Sequence, residues 1–196
     1  MTTTLARHAT APSIAMRRPP FDAVTIGLHW TTVLLVAGLF VLGLSMGLAA
    51  DARTAGLLLT AHRSLGVTVW GLTLGRAVWR RTGAYLPPFP PAMPPVQRLA
   101  ARLNEYGLYA LLLTQPVTGV LQSVYRGKPF ALFLWQVPAL VSRDKAMVRL
   151  FHEVHEWGAW AFAAVIGLHA AAALFHAFVL RDGVFESMAP IRRPRP

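Results

Sequence analysis

Four stretches of the chain are apolar over a length that matches a bilayer, and polar residues gather between them. A transmembrane helix needs about 20 mostly apolar residues. Residues 23–50 contain no Asp, Glu, Lys or Arg and are bracketed by Asp22 and Asp51. Residues 54–78 are interrupted by His62-Arg63. Residues 106–125 are uncharged, with Gln115-Pro116 inside, and residues 157–180 are uncharged apart from histidines, ending at Arg181-Asp182-Gly183. The pattern predicts helices over about 23–50, 54–78, 106–125 and 152–180. Together they make an all-α integral membrane four-helix bundle over residues 21–190, with basic tails at 1–20 and 191–196.

The links differ in kind. Asp51-Ala52-Arg53 is short, so the first two helices are expected to be antiparallel neighbours. Residues 86–95 (LPPFPPAMPP) cannot be helical, because proline lacks the donor and clashes with the preceding turn. Residues 126–151 form a longer loop whose apolar patch, PFALFLWQVPAL, is too short to span. It is expected in the membrane interface, where Trp135 is at home. The pairs Gly43/Gly47 and Gly71/Gly75 have the small-x-x-x-small spacing that lets helix backbones approach.

Composition supports the membrane reading. Hydrophobic residues are 55% and charged residues 14%, against roughly 25% charged in an ordinary soluble domain. A formal net charge of +11 raises the possibility of nucleic-acid binding. The distribution excludes it, because the cations sit at the ends of apolar blocks. Twelve of the nineteen Lys and Arg fall on the side of the two termini and the second loop, and seven on the other side. The positive-inside bias therefore places both termini in the cytoplasm. Residues 1–20 lack an apolar core and are expected to be a basic tail rather than a secretory leader; His8 within them receives no function. The absence of cysteine excludes disulfides, thiolate metal sites and covalent C-x-x-C-H haem attachment.

Ionisable residues at membrane depth are costly and so are functional candidates. Here they are mostly histidines. His155 and His169 are fourteen residues apart on the fourth helix. That separation places them about 21 Å apart and within about 40° of one face. Antiparallel packing brings His62 of the second helix level with His155, and His29 of the first helix level with His169. Two imidazoles from facing helices can fill both axial positions of a haem iron, leaving a centre suited to single-electron transfer. Two b-type haems, one near each membrane face, follow from the two pairs. Arg63, beside His62, is a candidate partner for the outer propionates, or else snorkels to the interface. Arg17 or Arg18 is the inner counterpart. No Asp or Glu lies inside the four apolar blocks, which argues against a proton pump.

These residues resemble the bacterial cytochrome b561 family of inner-membrane di-haem proteins. The matching segments are IGLHW at residues 26–30, AHRSLG at 61–66, YRGKP at 125–129, His155-Glu156, and GLHAAAALFH at 167–176. The resemblance runs from about residue 21 to 190. It implies His29 with His169 on the cytoplasmic-side haem and His62 with His155 on the outer one. It also implies a quinone-linked electron carrier, one branch of which oxidises superoxide at the outer face and reduces ubiquinone. Related members can carry histidines at the start of the third helix, where this chain has Asn104-Glu105-Tyr106.

Two further histidines remain. His152 lies about 60° from His155 round the helix and rivals it as outer ligand; the resemblance favours His155. His176, seven residues after His169, has no iron to bind in this pairing. It is expected to hydrogen-bond a quinone carbonyl and pass protons, or else to meet a propionate or the backbone. The outer cations are expected to steer a small anion such as superoxide, or to anchor the interface. Three functions are thus open. The first links ubiquinone to superoxide or another outer-side donor. The second is a haem-b anchor subunit serving a periplasmic dehydrogenase or hydrogenase. The third is a histidine-lined transporter without haem.

Overall fold

The computed structural model describes residues 18–190. His8, Arg17 and the arginines after residue 190 lie outside the described residues.

The two aspartates that bracket the first apolar block start the first two helices. Asp22 caps α1 (Ala23–Ser45), accepting the Thr25 N–H at 2.8 Å. A short 3-10 turn, Met46–Leu48, follows. Asp51 caps α2 (Ala52–Thr82) in the same way, accepting the Thr54 N–H at 2.8 Å. Each carboxylate satisfies a backbone donor that the helix leaves free. Arg80 and Arg81 occupy the last turn of α2, where positive charge complements the helix dipole.

The proline run stays non-helical until its last residue, which opens α3 (Pro95–Tyr125). Proline suits a first helical position, because its missing N–H would have had no partner there. The third helix therefore starts about three turns before the apolar block. The added turns carry Arg98, Arg102 and Glu105, so charge concealed them in the hydropathy pattern.

The apolar patch after α3 folds into an antiparallel hairpin of β1 (Phe130–Leu132) and β2 (Trp135–Val137). Phe133 turns the chain at φ 53°. Leu134 and Trp135 are exposed at its tip. Gly127, at φ 63°, lets the chain pass so close to the Arg143 backbone that a side chain there would collide with it. Asp144 then caps α4 (Lys145–Phe175), accepting from the N–H groups of Ala146 and Met147. A π-helical turn, His176–Leu180, ends in Arg181 with left-handed backbone.

Helices pack in chain order, α1 on α2, α2 on α3 and α3 on α4. The backbone of α4 stands off from those of α1 and α2. One residue from each helix, Val36, Val69, Leu112 and Phe162, meets in a single buried layer. The outside is apolar, with Leu34, Leu44, Trp157 and Phe178 among its exposed residues. α1 with its 3-10 turn and α4 with its π turn are each long and apolar enough to cross a bilayer. α2 and α3 are each 31 residues long; α2 carries Arg63 and Arg76 within its length besides the arginines at its ends, and α3 carries Arg98 and Arg102 in its first turns. The chain is a membrane helical bundle, as its sequence pattern predicts.

The glycine spacings do not mark the closest approaches. Gly47, Gly71 and Gly75 face open space. The tight contacts are elsewhere: a Cβ on Gly158 would overlap the Gln115 amide, and one on Gly119 would lie 3.2 Å from the His155 ring.

Candidate functional site

The described histidines of the helix interior come in twos. The rings of His29 (α1) and His169 (α4) are 6.1 Å apart, centre to centre. Those of His62 (α2) and His155 (α4) are 6.2 Å apart. Imidazole nitrogens bind metals at about 2.0–2.1 Å, so two rings on opposite sides of one ion have centres about 6 Å apart. Both pairs bridge the space that α4 leaves between itself and α1 and α2. The buried layer lies midway between them: Phe162 is seven residues from both His155 and His169, Val36 seven after His29, and Val69 seven after His62. Seven residues are two helical turns, about 10 Å. Among the described residues, no three His, Asp or Glu gather as they would to hold a free metal ion.

Hydrogen bonds fix which nitrogen faces the interior. His62 Nδ1 lies 3.1 Å from the Leu39 carbonyl oxygen, and His155 Nδ1 lies 3.0 Å from that of Gln115. A carbonyl oxygen only accepts, so Nδ1 must carry the hydrogen and Nε2 keeps its lone pair. Thr118 agrees. Its hydroxyl donates to the Gln115 carbonyl at 2.9 Å, leaving its oxygen to accept from His155 Nδ1 at 3.0 Å. His169 Nδ1 lies 3.2 Å from Oδ1 of Asn104 on α3. Metal-bound histidines are characteristically held this way through their second nitrogen.

The fourteen-residue interval of His155 and His169 recurs on every helix. Fourteen residues after His62 stands Arg76, whose charge bears on both His29 and His169. Fourteen before Thr118 stands Asn104. Fourteen after His29 stands Gly43, against the His62 ring. Each helix thus contributes to both levels from one face. The sequence pattern assigned no role to Arg76, Asn104 or Thr118, although the interval marks all three positions.

The arginines differ in their surroundings. Arg63 donates to Ser123 Oγ at 2.8 Å and lies over the Phe130 ring. Arg18 donates to the Pro87 and Pro88 carbonyls, 2.9 and 3.1 Å away, and stacks on Phe21 and Phe89. It ties the start of α1 to the proline loop. Arg76 lies over Tyr109, beside a narrow cleft of about 50 Å³ at the same end of the bundle, and Arg80 pairs with Glu105 at 2.6 Å.

The remaining histidines separate. His152 is exposed and lies 3.6 Å from Glu156 on its own helix, while His155 faces His62. His152 also lines a cleft of about 450 Å³ with Gln122, Arg126, Arg143, Lys145 and Arg149. His176 is buried, with Nδ1 2.7 Å from Asp182 Oδ2.

Residues 20–190 match the sequence family described as prokaryotic cytochrome b561. The chain is 31% identical to cytochrome b561 homolog 2 of Escherichia coli K12, over 86% of this chain and 90% of that protein. It is 30% identical to cytochrome b561 homolog 1 of the same organism, over 88% and 98%. It is also 26% identical to a probable superoxide oxidase, CybB, of Yersinia pestis, over 88% and 97%.

Proposed function

The chain belongs to the prokaryotic cytochrome b561 family, and from that premise we propose that it moves single electrons between superoxide on the outer side of a bacterial inner membrane and ubiquinone. That it is a membrane electron-transfer protein binding b-type haem follows from the family; a transporter without haem is therefore set aside. The observation that carries the proposal is the pair of imidazole pairs, at 6.1 and 6.2 Å.

In this reading two haems are held, one by His29 and His169 and one by His62 and His155. A bound b-type haem supplies a reversible one-electron centre. The protein does the rest. Hydrogen bonds at Nδ1 of His62, His155 and His169 hold those rings and raise their donor strength. The layer of Val36, Val69, Leu112 and Phe162 keeps water from the space between the two levels. Arg63 and Arg76 are the cations proposed to meet the propionates, one at each level.

The outer cleft supports superoxide as donor. Arg126, Arg143, Lys145 and Arg149 line it; Arg149 pairs with Glu153 at 2.7 Å, and the remaining excess of positive charge attracts a small anion. Two superoxide anions give two dioxygen molecules and two electrons; ubiquinone takes two electrons and two protons to become ubiquinol. His176 is proposed to meet the quinone and supply protons, with Asp182 orienting the ring and sharing the proton. In the N-inside topology that the cation bias supports, this dyad is on the cytoplasmic side.

Purified chain given superoxide and ubiquinone tests the proposal. Superoxide-dependent formation of ubiquinol is expected. A haem-loaded preparation that forms none would point to a protein donor, as for a haem-b anchor subunit, and would remove superoxide from the account.

A further inference from the structure

We infer that Asn104 is the positioning residue for His169, fixing which ring nitrogen faces His29 and setting its strength as a donor. The inference rests on the haem reading above. α3 carries no histidine, yet it touches two of the three histidines of α4, His155 through Thr118 and His169 through Asn104.

The Asn104 amide has its orientation decided for it. Its Nδ2 lies 3.2 Å from the carbonyl oxygen of Val165. A carbonyl oxygen only accepts, so the NH₂ group must face it. Oδ1 then faces His169 Nδ1, at 3.2 Å. An amide oxygen also only accepts, so Nδ1 must be the protonated nitrogen and Nε2 the free donor. Val165 lies four residues before His169 and belongs to the same helical turn. Both ends of the amide therefore grip one turn of α4. Its neighbours do other work: Glu105 pairs with Arg80, and Tyr106 is exposed.

The inner level is thus more adjustable than the outer one, where Thr118 only adds to a backbone partner of His155. His62 and His155 are held by the backbone carbonyls of Leu39 and Gln115, which no substitution at those positions removes. His169 depends on a side chain. A stronger acceptor at Nδ1 makes the imidazole a better donor and favours ferric over ferrous iron; a lost acceptor does the reverse.

Potentiometric titration and haem content of full-length wild type, Asn104→Leu and Asn104→Asp test this. Asn104→Leu keeps bulk and removes the acceptor; Asn104→Asp keeps an acceptor and strengthens it. In Asn104→Leu one of two potentials is expected to rise, and retention of that haem to weaken about 10–100-fold. In Asn104→Asp the same potential is expected to fall, with both haems kept. The second potential stays where it was in both. A helix-packing role for Asn104 predicts no such opposition of sign. Unchanged potentials in both variants, or shifts in one direction in both, overturn the inference. A wild type without haem overturns the underlying reading instead.

Discussion

The imidazoles of His62 and His155 stand 6.2 Å apart, each held at Nδ1 by a backbone carbonyl oxygen. Two rings so placed present Nε2 to the same space. With both held as ligands of one haem, His62→Ala and His155→Ala are each expected to lose one haem per chain. His152→Ala is expected to lose none, because its ring is exposed beside Glu156. A pyridine haemochrome assay on the three variants checks this. The reverse pattern would move the outer site to His152.

Gly119 holds the His155 ring from behind, and a Cβ there would lie 3.2 Å from it. Gly119→Val should displace the ring at an overpacking cost of about 1–3 kcal/mol. The expected signs are weakened retention of one haem and a lower melting temperature in detergent. Gly71→Ala, facing open space, should leave haem content unchanged.

Arg76 is the cation that bears on both His29 and His169. A positive charge near a redox centre favours the reduced, more negative state. Arg76→Gln is therefore expected to lower one of two haem potentials and leave the other. A titration with both potentials unchanged would separate Arg76 from the His29–His169 pair.

Asp22 binds the ends of two helices together. Its carboxylate accepts from Thr25, from the Trp79 indole at 3.2 Å and from the Tyr85 N–H at 3.2 Å. Partial burial pushes this acid up, but the hydrogen bonds from Thr25, Trp79 and Tyr85 outweigh it and hold it below the ordinary carboxylate value. A depressed acid stabilises the fold above its unfolded pKa, and that contribution disappears as pH falls through the folded value. Asp22→Ala should cost about 0.5–2 kcal/mol near neutral pH. The gap from wild type should close in acid, below about pH 4. Thermal melts across pH check both; a gap that widens in acid contradicts the assignment.

The cationic cleft beside His152 gives a salt test. Screening shortens from about 10 Å at 0.1 M to about 3 Å at 1 M ionic strength. If its unpaired cations Arg126, Arg143 and Lys145 steer superoxide, the second-order rate falls steeply with salt, and Arg143→Ala flattens the response. A flat response in wild type would leave the cations as interface anchors.

Much of this was legible because a membrane forces apolar residues into blocks and leaves few polar ones inside. His29, His62, His155 and His169 stood out for that reason, and their spacing on antiparallel helices gave the levels at which the structure brings them together. What stayed hidden was hidden by charge or by partner. The first turns of α3 carry Arg98, Arg102 and Glu105, so hydropathy did not include them. Arg76 is one among many cations in the sequence, and only its interval from His62 ties it to the level of His29 and His169. Asn104 has an ordinary polar side chain, and only its contacts with His169 and Val165 give it meaning. Glycine spacing misled at Gly71 and Gly75, because close approach depends on the facing helix as well as on the small residue.

The most direct measurement is the haem content of the purified chain, taken with its reduced-minus-oxidised spectrum. Two b-type haems per polypeptide, with sharp reduced bands, are the predicted result. A single haem, or a colourless protein from cells supplied with haem precursor, would contradict the pairing of His29 with His169 and His62 with His155.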